Sequence, residues 1–555
     1  MKLYKANISL FLAILFLLFS SLSAAQSQQV RSCDNHLLPM RMVDDGKRVG
    51  PTSCMMQEIE FNLDGKEYVR VDLGISGTVE GYIMTSGPYH EYMTNGPNLV
   101  FHQAGTSSSA PQLAIAEYDM MKGAAVFLIY PKNKTDWNGK MWVTAHGRGR
   151  SFKNGSLKVW NEYLDPDNPA DFDKIEKSIL SKGYAMAVTN RTSTQDIGEI
   201  KAVLANGNVV DWVAFNEAAS LMKDYTFIAE SVLQSRLGSE PSRTYYIGHS
   251  AGARMGRSIN YTPGVNMDED GNRVFDGFLN VESATGLWLP IIMQDGKDVL
   301  FDEEAEKAAF TPQIEVGGQM NTKIWVRTPE RPDWVSDNYL VNKRTNAKTL
   351  LDKGFGDKFR VFEVRQWSHS TGAGLPNGRN GKVRIVDVSM LLDGIMDMLD
   401  NLVEGRPVPP SRSDWAAISD VDGNGTVDNP AVSLPEVACP LGVFYPYPEA
   451  GSSTSFAGFT GEHVGDGIEP LDAQGHFVDM NRNGAWDFRE TPTQAWRRLG
   501  LIGENEDFTR ERYVECIRTA AEKLHADGFF SEETIERYVQ QARQQDLNLA
   551  NLDNF

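Results

Sequence analysis

The chain has 555 residues, 41% of them hydrophobic, and 54 Lys and Arg against 74 Asp and Glu give it a formal net charge of −20. This length allows two or more domains, or one large domain with elaborations. The acidity argues against nucleic acid or an anionic membrane as partner, and it favours cations over polyanions.

Residues 1–25 read as an export signal. Lys2 and Lys5 form a basic start, Ile8 to Phe19 an apolar stretch, and Ser23-Ala24-Ala25 the small residues before Gln26. The apolar stretch is short for a membrane span, so no stable anchor is expected and the destination is secreted or periplasmic. Four cysteines fit an oxidising compartment, with local pairing expected, Cys33 with Cys54 and Cys439 with Cys516. No Cys-x-x-Cys occurs, which speaks against a redox motif or a zinc ribbon.

Residues 26–130 read as a β-rich segment leading into a sheet. Glu58-Ile59-Glu60-Phe61 and Tyr68-Val69-Arg70-Val71 alternate, and Ala124 to Tyr130 is a continuous apolar run. Residues 131–410 alternate buried strands with helices. Strands are expected at Lys140–Ala145, Gly183–Val188, Arg243–Ile247, Gly277–Val281, Thr322–Val326 and Phe359–Val364. Helices are expected at Trp212–Leu237 and over 385–403. That alternation predicts an α/β fold, a mostly parallel sheet with helices on both faces. The insertions at 284–320 and 443–478 occupy positions where a lid could stand. Pro407-Val408-Pro409-Pro410 marks a boundary, and 411–555 carries turn-rich acidic loops and then helices at about 509–526 and 532–544, the last with Ser531 as N-cap.

Gly248-His249-Ser250-Ala251-Gly252 fits the G-x-S-x-G pattern, and its setting fits as well. A β-branched and aromatic run precedes it and a helix can start after it. A sharp strand-to-helix turn of this kind holds a serine hydroxyl exposed, and its glycines let strand and helix pass closely. With Ser250 as nucleophile, His369 is the histidine best placed to act as base, in the loop after Phe359–Val364. The acid should follow the strand before the histidine strand. Asp333 is preferred there, with Glu330 nearer the strand end and Asp337 third. Two oxyanion donors are expected. One is the N–H of Ala251, and the other comes from Gly147 or Arg148 in the His146-Gly147-Arg148-Gly149 loop.

Two acidic loops suggest calcium in a structural role, since they lie far along the chain from the serine and serine chemistry needs no metal. Asp479 to Glu490 matches an EF-hand loop, with Asp479, Asn481, Asn483, Ala485 through its carbonyl, Asp487 and Glu490 at the ligand places. A second loop offers Asp420, Asp422, Asn424, Thr426 and Asp428, but Ala431 stands where the closing glutamate belongs, leaving Glu436 or water to complete it.

The elbow from Gly248 to Gly256, the HG loop, the later strands and the late histidine together resemble the α/β-hydrolase superfamily. More narrowly, the chain resembles a group of large exported bacterial α/β hydrolases. The narrower resemblance rests on Asn272–Gly277, Glu404–Ser411, Leu434–Gly442 and Ala495–Leu501. It spans most of residues 130–545 and implies that the calcium-loop and helical C-terminal region is integral to the domain. It also implies hydrolysis of a small-molecule or polymer-borne carboxylic ester through an acyl-enzyme. The acid segment departs from the family's Gly-x-x-Asp pattern. The alternatives are an acyltransferase or polyester depolymerase using the same triad, or an inactive calcium-stabilised extracellular binding protein.

Overall fold

The computed structural model describes residues 31–32, 41–42, 48–79, 100–103, 116–118, 125–145, 172, 174–189, 200–203, 209–211, 213–249, 251–261, 266–268, 270–282, 293–294, 297–298, 304–319, 339–367, 386–446, 454–458, 460–462, 487–489, 491–545 and 547. Its centre is a mixed sheet. The strands that matter here are β1 (Arg48–Leu63), β2 (Lys66–Val79), β3 (Ala125–Pro131), β4 (Lys140–Ala145), β5 (Ala185–Thr189), β6 (Arg243–His249), β7 (Gly277–Val281), β8 (Gln313–Gly318) and β9 (Phe359–Val364). Their spatial order is β1-β2-β3-β5-β4-β6-β7-β8-β9. From β5 to β9 every pairing is parallel. From β1 to β5 every pairing along that path is antiparallel.

The parallel strands are buried on both faces, so they read as near-continuous apolar runs such as Met141-Trp142-Val143 and Tyr245-Tyr246-Ile247. One face packs against α1 (Lys174–Ser181) and α5 (Ser389–Val403). Leu391, Ile395, Met398, Leu399 and Leu402 form the buried stripe of α5, at helical spacing. Lys182 pairs with both Asp393 and Asp397, joining α1 to α5 along their rims. The other face packs against α2 (Val213–Leu237) and α3 (Ala251–Tyr261). Among the described residues, no helix is long and apolar enough to cross a membrane.

The strand expected at Thr322–Val326 falls outside the described residues. The strand that pairs with β9 is instead Gln313–Gly318, inside the stretch read from the sequence as a lid insertion. Its alternating polar residues imitate a half-exposed strand. The polar side chains are nevertheless buried, because α3 supplies their partners. Arg257 donates to both carboxylate oxygens of Glu315, and Asn260 and Tyr261 bond Gln313 at 2.9 and 2.7 Å.

After the proline run the chain rejoins the sheet at once. Arg412 and Val432 bridge the outer edge of β9, with Glu363 N donating to Arg412 O at 2.9 Å and Val432 N to Glu363 O at 2.7 Å. These bonds close an edge that would otherwise offer a row of unpaired groups. Helices α6 (Pro492–Arg498), α7 (Arg510–Ala526) and α8 (Glu532–Gln544) follow. Trp496, Ile517 and Phe529 join the same core cluster as α5. Ser531 caps α8 as expected, accepting from Thr534 N, and Cys439 and Cys516 are disulfide-bonded. Cys33 lies outside the described residues.

Candidate active site

The carboxyl ends of β4, β6, β7, β8 and β9 lie side by side, and every sequence-expected site residue but the calcium-loop ones belongs to a segment leaving that edge. β6 ends at His249 and α3 begins at Ala251. Ser250 stands at the junction and is itself outside the described residues. The glycines around it are required by contact. A Cβ on Gly248 would lie 2.4 Å from the carbonyl carbon and oxygen of Gly252, and one on Gly256 would lie 2.8 Å from Tyr246 Cε1. Tyr246 OH also donates to Gly252 O at 2.7 Å, so strand and helix are tied together at closest approach. Ala251 opens α3, so its N–H has no acceptor within the helix and sits at the positive end of the helix dipole.

Gly248 pairs with Ala145, the last residue of β4. The loop carrying Gly147 and Arg148 therefore leaves the sheet beside the elbow, although both residues lie outside the described set. His369 does as well. The last residue described before it, Trp367, is fully buried, and Gln366 before that has φ +53°. Asp333, Glu330 and Asp337 all fall in the connection between β8 and α4 (Tyr339–Asp352), also outside the described residues.

Sequence reasoning missed a carboxylate at this edge. Glu282 immediately follows β7 and is 0% exposed, with φ +47°. Its Oε1 accepts from Gly318 N, at the end of β8, and from Lys343 Nζ at 2.7 Å. Lys343 comes from α4, is 5% exposed, and lies so closely across Gly317 that a Cβ there would sit 2.6 Å from Lys343 Cε. The signal available in the sequence was a charge directly after the short buried strand Gly277–Val281.

The acidic loop at 420–428 is described in full. Carboxylate oxygens of Asp420, Asp422 and Asp428 lie within 4.8 Å of one another. Asp420 accepts from Gly423 N and Gly425 N, each at 2.7 Å, and Asp428 from Val421 N at 2.7 Å. The bond from Gly425 N is the largest cause holding the Asp420 carboxyl below its usual range. Asn424 Oδ1 accepts from Thr426 N at 2.8 Å, and Gly425 takes φ +85° at the turn. Three converging carboxylates are a donor set for a hard cation, and the residues fit calcium. Ala431 is buried, and its N donates to Asp414. Glu436, expected as one candidate for closing the loop, is not among the carboxylates gathered there. In the other loop Asp487 opens the short strand Asp487–Arg489, whereas Asp479, Asn481, Asn483, Ala485 and Glu490 lie outside the described residues.

No family model matches the chain, and no curated protein matches it. Solved structures similar to it include poly(aspartic acid) hydrolase-1 from Sphingomonas sp. KT-1, at 14% identity and TM-score 0.28 over 44% of this chain and 88% of that one. Esterase B from Lactobacillus rhamnosis is similar at 12% identity and TM-score 0.28, over 56% and 87%. An α/β hydrolase from a Medee basin deep-sea metagenome, MGS-M1, is similar at 12% identity and TM-score 0.27, over 55% and 99%. These scores are too low to bear on chemistry, and the α/β fold rests on the strand order and helix layers described above.

Proposed function

We propose that this chain is an exported serine hydrolase that cleaves carboxylic esters through an acyl-enzyme on Ser250, and that its acidic loops hold structural calcium. The observation that supports the reading best is the strand–serine–helix junction, where Gly248 and Gly256 permit a contact that no side chain would allow.

In this reading Ser250 Oγ adds to the ester carbonyl while His369 takes the hydroxyl proton. The Ala251 N–H and one from Gly147 or Arg148 stabilise the oxyanion. Collapse expels the alcohol, which leaves with the proton from His369. Water then adds to the acyl-enzyme, again giving its proton to His369. The acid departs as that proton returns to Ser250.

The test is hydrolysis of a short-chain p-nitrophenyl ester by the wild type and by Ser250→Ala, together with fluorophosphonate labelling. The expected result is labelling of Ser250 and loss of at least about a thousandfold in kcat in the variant. Full activity in Ser250→Ala would exclude this serine. A wild type that neither hydrolyses nor labels would favour a binding protein.

A further inference from the structure

We propose that the polar stripe formed by Arg257, Asn260 and Tyr261 is a register lock that fixes α3 against β8, and through α3 the aim of the N–H groups in its first turn. The functional half of this assignment rests on the serine-hydrolase reading, in which the Ala251 N–H is an oxyanion donor. It makes Arg257 a positioning residue, acting through the helix. The stripe joins two periodicities. Residues 257, 260 and 261 share one face of a helix, and Thr311, Gln313 and Glu315 alternate along one face of extended chain. Arg257 donates to both carboxylate oxygens of Glu315. One turn further on, Asn260 Nδ2 donates to Gln313 Oε1 at 2.9 Å and to Thr311 O at 3.0 Å, and its Oδ1 accepts from Thr311 N at 2.8 Å. Gln313 Nε2 completes the set, donating to Tyr261 OH at 2.7 Å and to Glu315 Oε1 at 2.8 Å. None of these six residues is more than 5% exposed. A slip of α3 by one residue would turn it by about 100° and move it about 1.5 Å, taking each donor from its acceptor and stranding a buried charge.

Net stability does not account for the stripe. A buried ion pair gives back most of its attraction as desolvation, and apolar side chains of similar volume hold such a position as well or better. What the rest of the α3 contact lacks is direction. α3 meets β6 and β7 across Gly248 and Gly256, and glycine leaves one side of each contact smooth. Met255 and Ile259 add apolar burial, which is non-directional. Tyr246 OH holds a single point, Gly252 O, and a helix held at one point can pivot. The Arg257–Glu315 pair supplies a second point, about 7.5 Å further along the helix and on a different strand. Two points on separate strands fix both the rotation and the axial position of α3. A donor aimed at a charge that develops during reaction requires that precision.

The experiment compares Arg257→Met, Glu315→Leu and the double variant with the wild type, by urea melts, by amide hydrogen exchange in α3 and by the kinetics of p-nitrophenyl ester hydrolysis. Each single variant should show a lower urea midpoint, because it strands one member of the pair. The double variant should return to the wild-type midpoint or exceed it. The amides in the first turns of its α3 should nevertheless exchange at least about tenfold faster, and its kcat should fall about tenfold to a hundredfold at little-changed KM. Unchanged exchange in the double variant, or a kcat within twofold of wild type, would overturn the proposal. So would a double variant that is as unstable as the single ones or does not fold, since the pair would then supply stability and not register. A wild type that neither hydrolyses the ester nor labels with a fluorophosphonate would remove the serine-hydrolase reading. The exchange measurement then decides the lock by itself, with faster exchange in the double variant supporting it and unchanged exchange rejecting it.

Discussion

Glu230 shows how one side chain couples the sheet to pH. It lies on α2 and accepts from Thr244 Oγ1 at 2.9 Å, near the start of β6. Burial is the main cause of a carboxyl pushed up to about 7, and the bond from Thr244 offsets only part of that rise. The folded protein therefore holds this proton more tightly than the unfolded chain. The associated stability is complete below the ordinary carboxylate range and is lost as pH rises through about 7. Glu230→Gln mimics the protonated form. It should be more stable than wild type at pH 8 by on the order of 1–3 kcal/mol, and should match it near pH 4. Urea melts at the two pH values check this, and an equal difference at both would reject it.

Between elements, a disulfide joins the C-terminal helices to the segment 411–446 that follows the proline run. The Cys439–Cys516 bond spans 77 residues and ties the short helix Pro435–Ala438 to α7. Trp496 reinforces the same corner, donating from Nε1 to Pro440 O at 2.7 Å. Closing a loop of that length restricts the unfolded chain by about 4 kcal/mol in the chain-entropy account. Replacing both cysteines by alanine should cost about 2–4 kcal/mol, read as a lower urea midpoint at unchanged slope. An unchanged midpoint would mean that packing around Trp496 alone holds the corner. Further along, Glu363 of β9 accepts from Arg344 of α4 at 2.7 Å and from Ser413, just after the proline run, at 2.6 Å. Burial raises that carboxyl, but these bonds outweigh it and hold it below its usual range. The histidine strand is thus held from two sides by one buried charge.

At the scale of the molecule, the acidic loop connects Arg412 to Val432, the two residues that bridge β9. Calcium bound at 420–428 would therefore stabilise the closed edge of the sheet as well as the loop. Added calcium is expected to raise the melting temperature, with a gain of about 1.4 kcal/mol at ten times Kd. Asp422→Asn with Asp428→Asn should reduce that rise. A melting temperature indifferent to calcium and chelator would exclude a structural ion in either loop.

Much of this architecture was legible in the residues alone. The strands β4, β6, β7 and β9 announce themselves because parallel strands covered on both faces are mostly apolar runs. The elbow was legible because only glycine fits at 248 and 256, and the pairing of Cys439 with Cys516, expected as a local pairing among three possible connectivities, is present. Other features depended on partners far away in sequence. β8 looked like part of an insertion until Arg257 and Asn260 were seen to satisfy its buried polar side chains. Glu282 was not singled out in the sequence, since its donors Gly318 and Lys343 lie 36 and 61 residues further on. Local pattern determines which segments become strands and helices, because burial periodicity is written into neighbouring residues. Only the tertiary structure decides which buried charges find partners, because those partners meet solely through the fold.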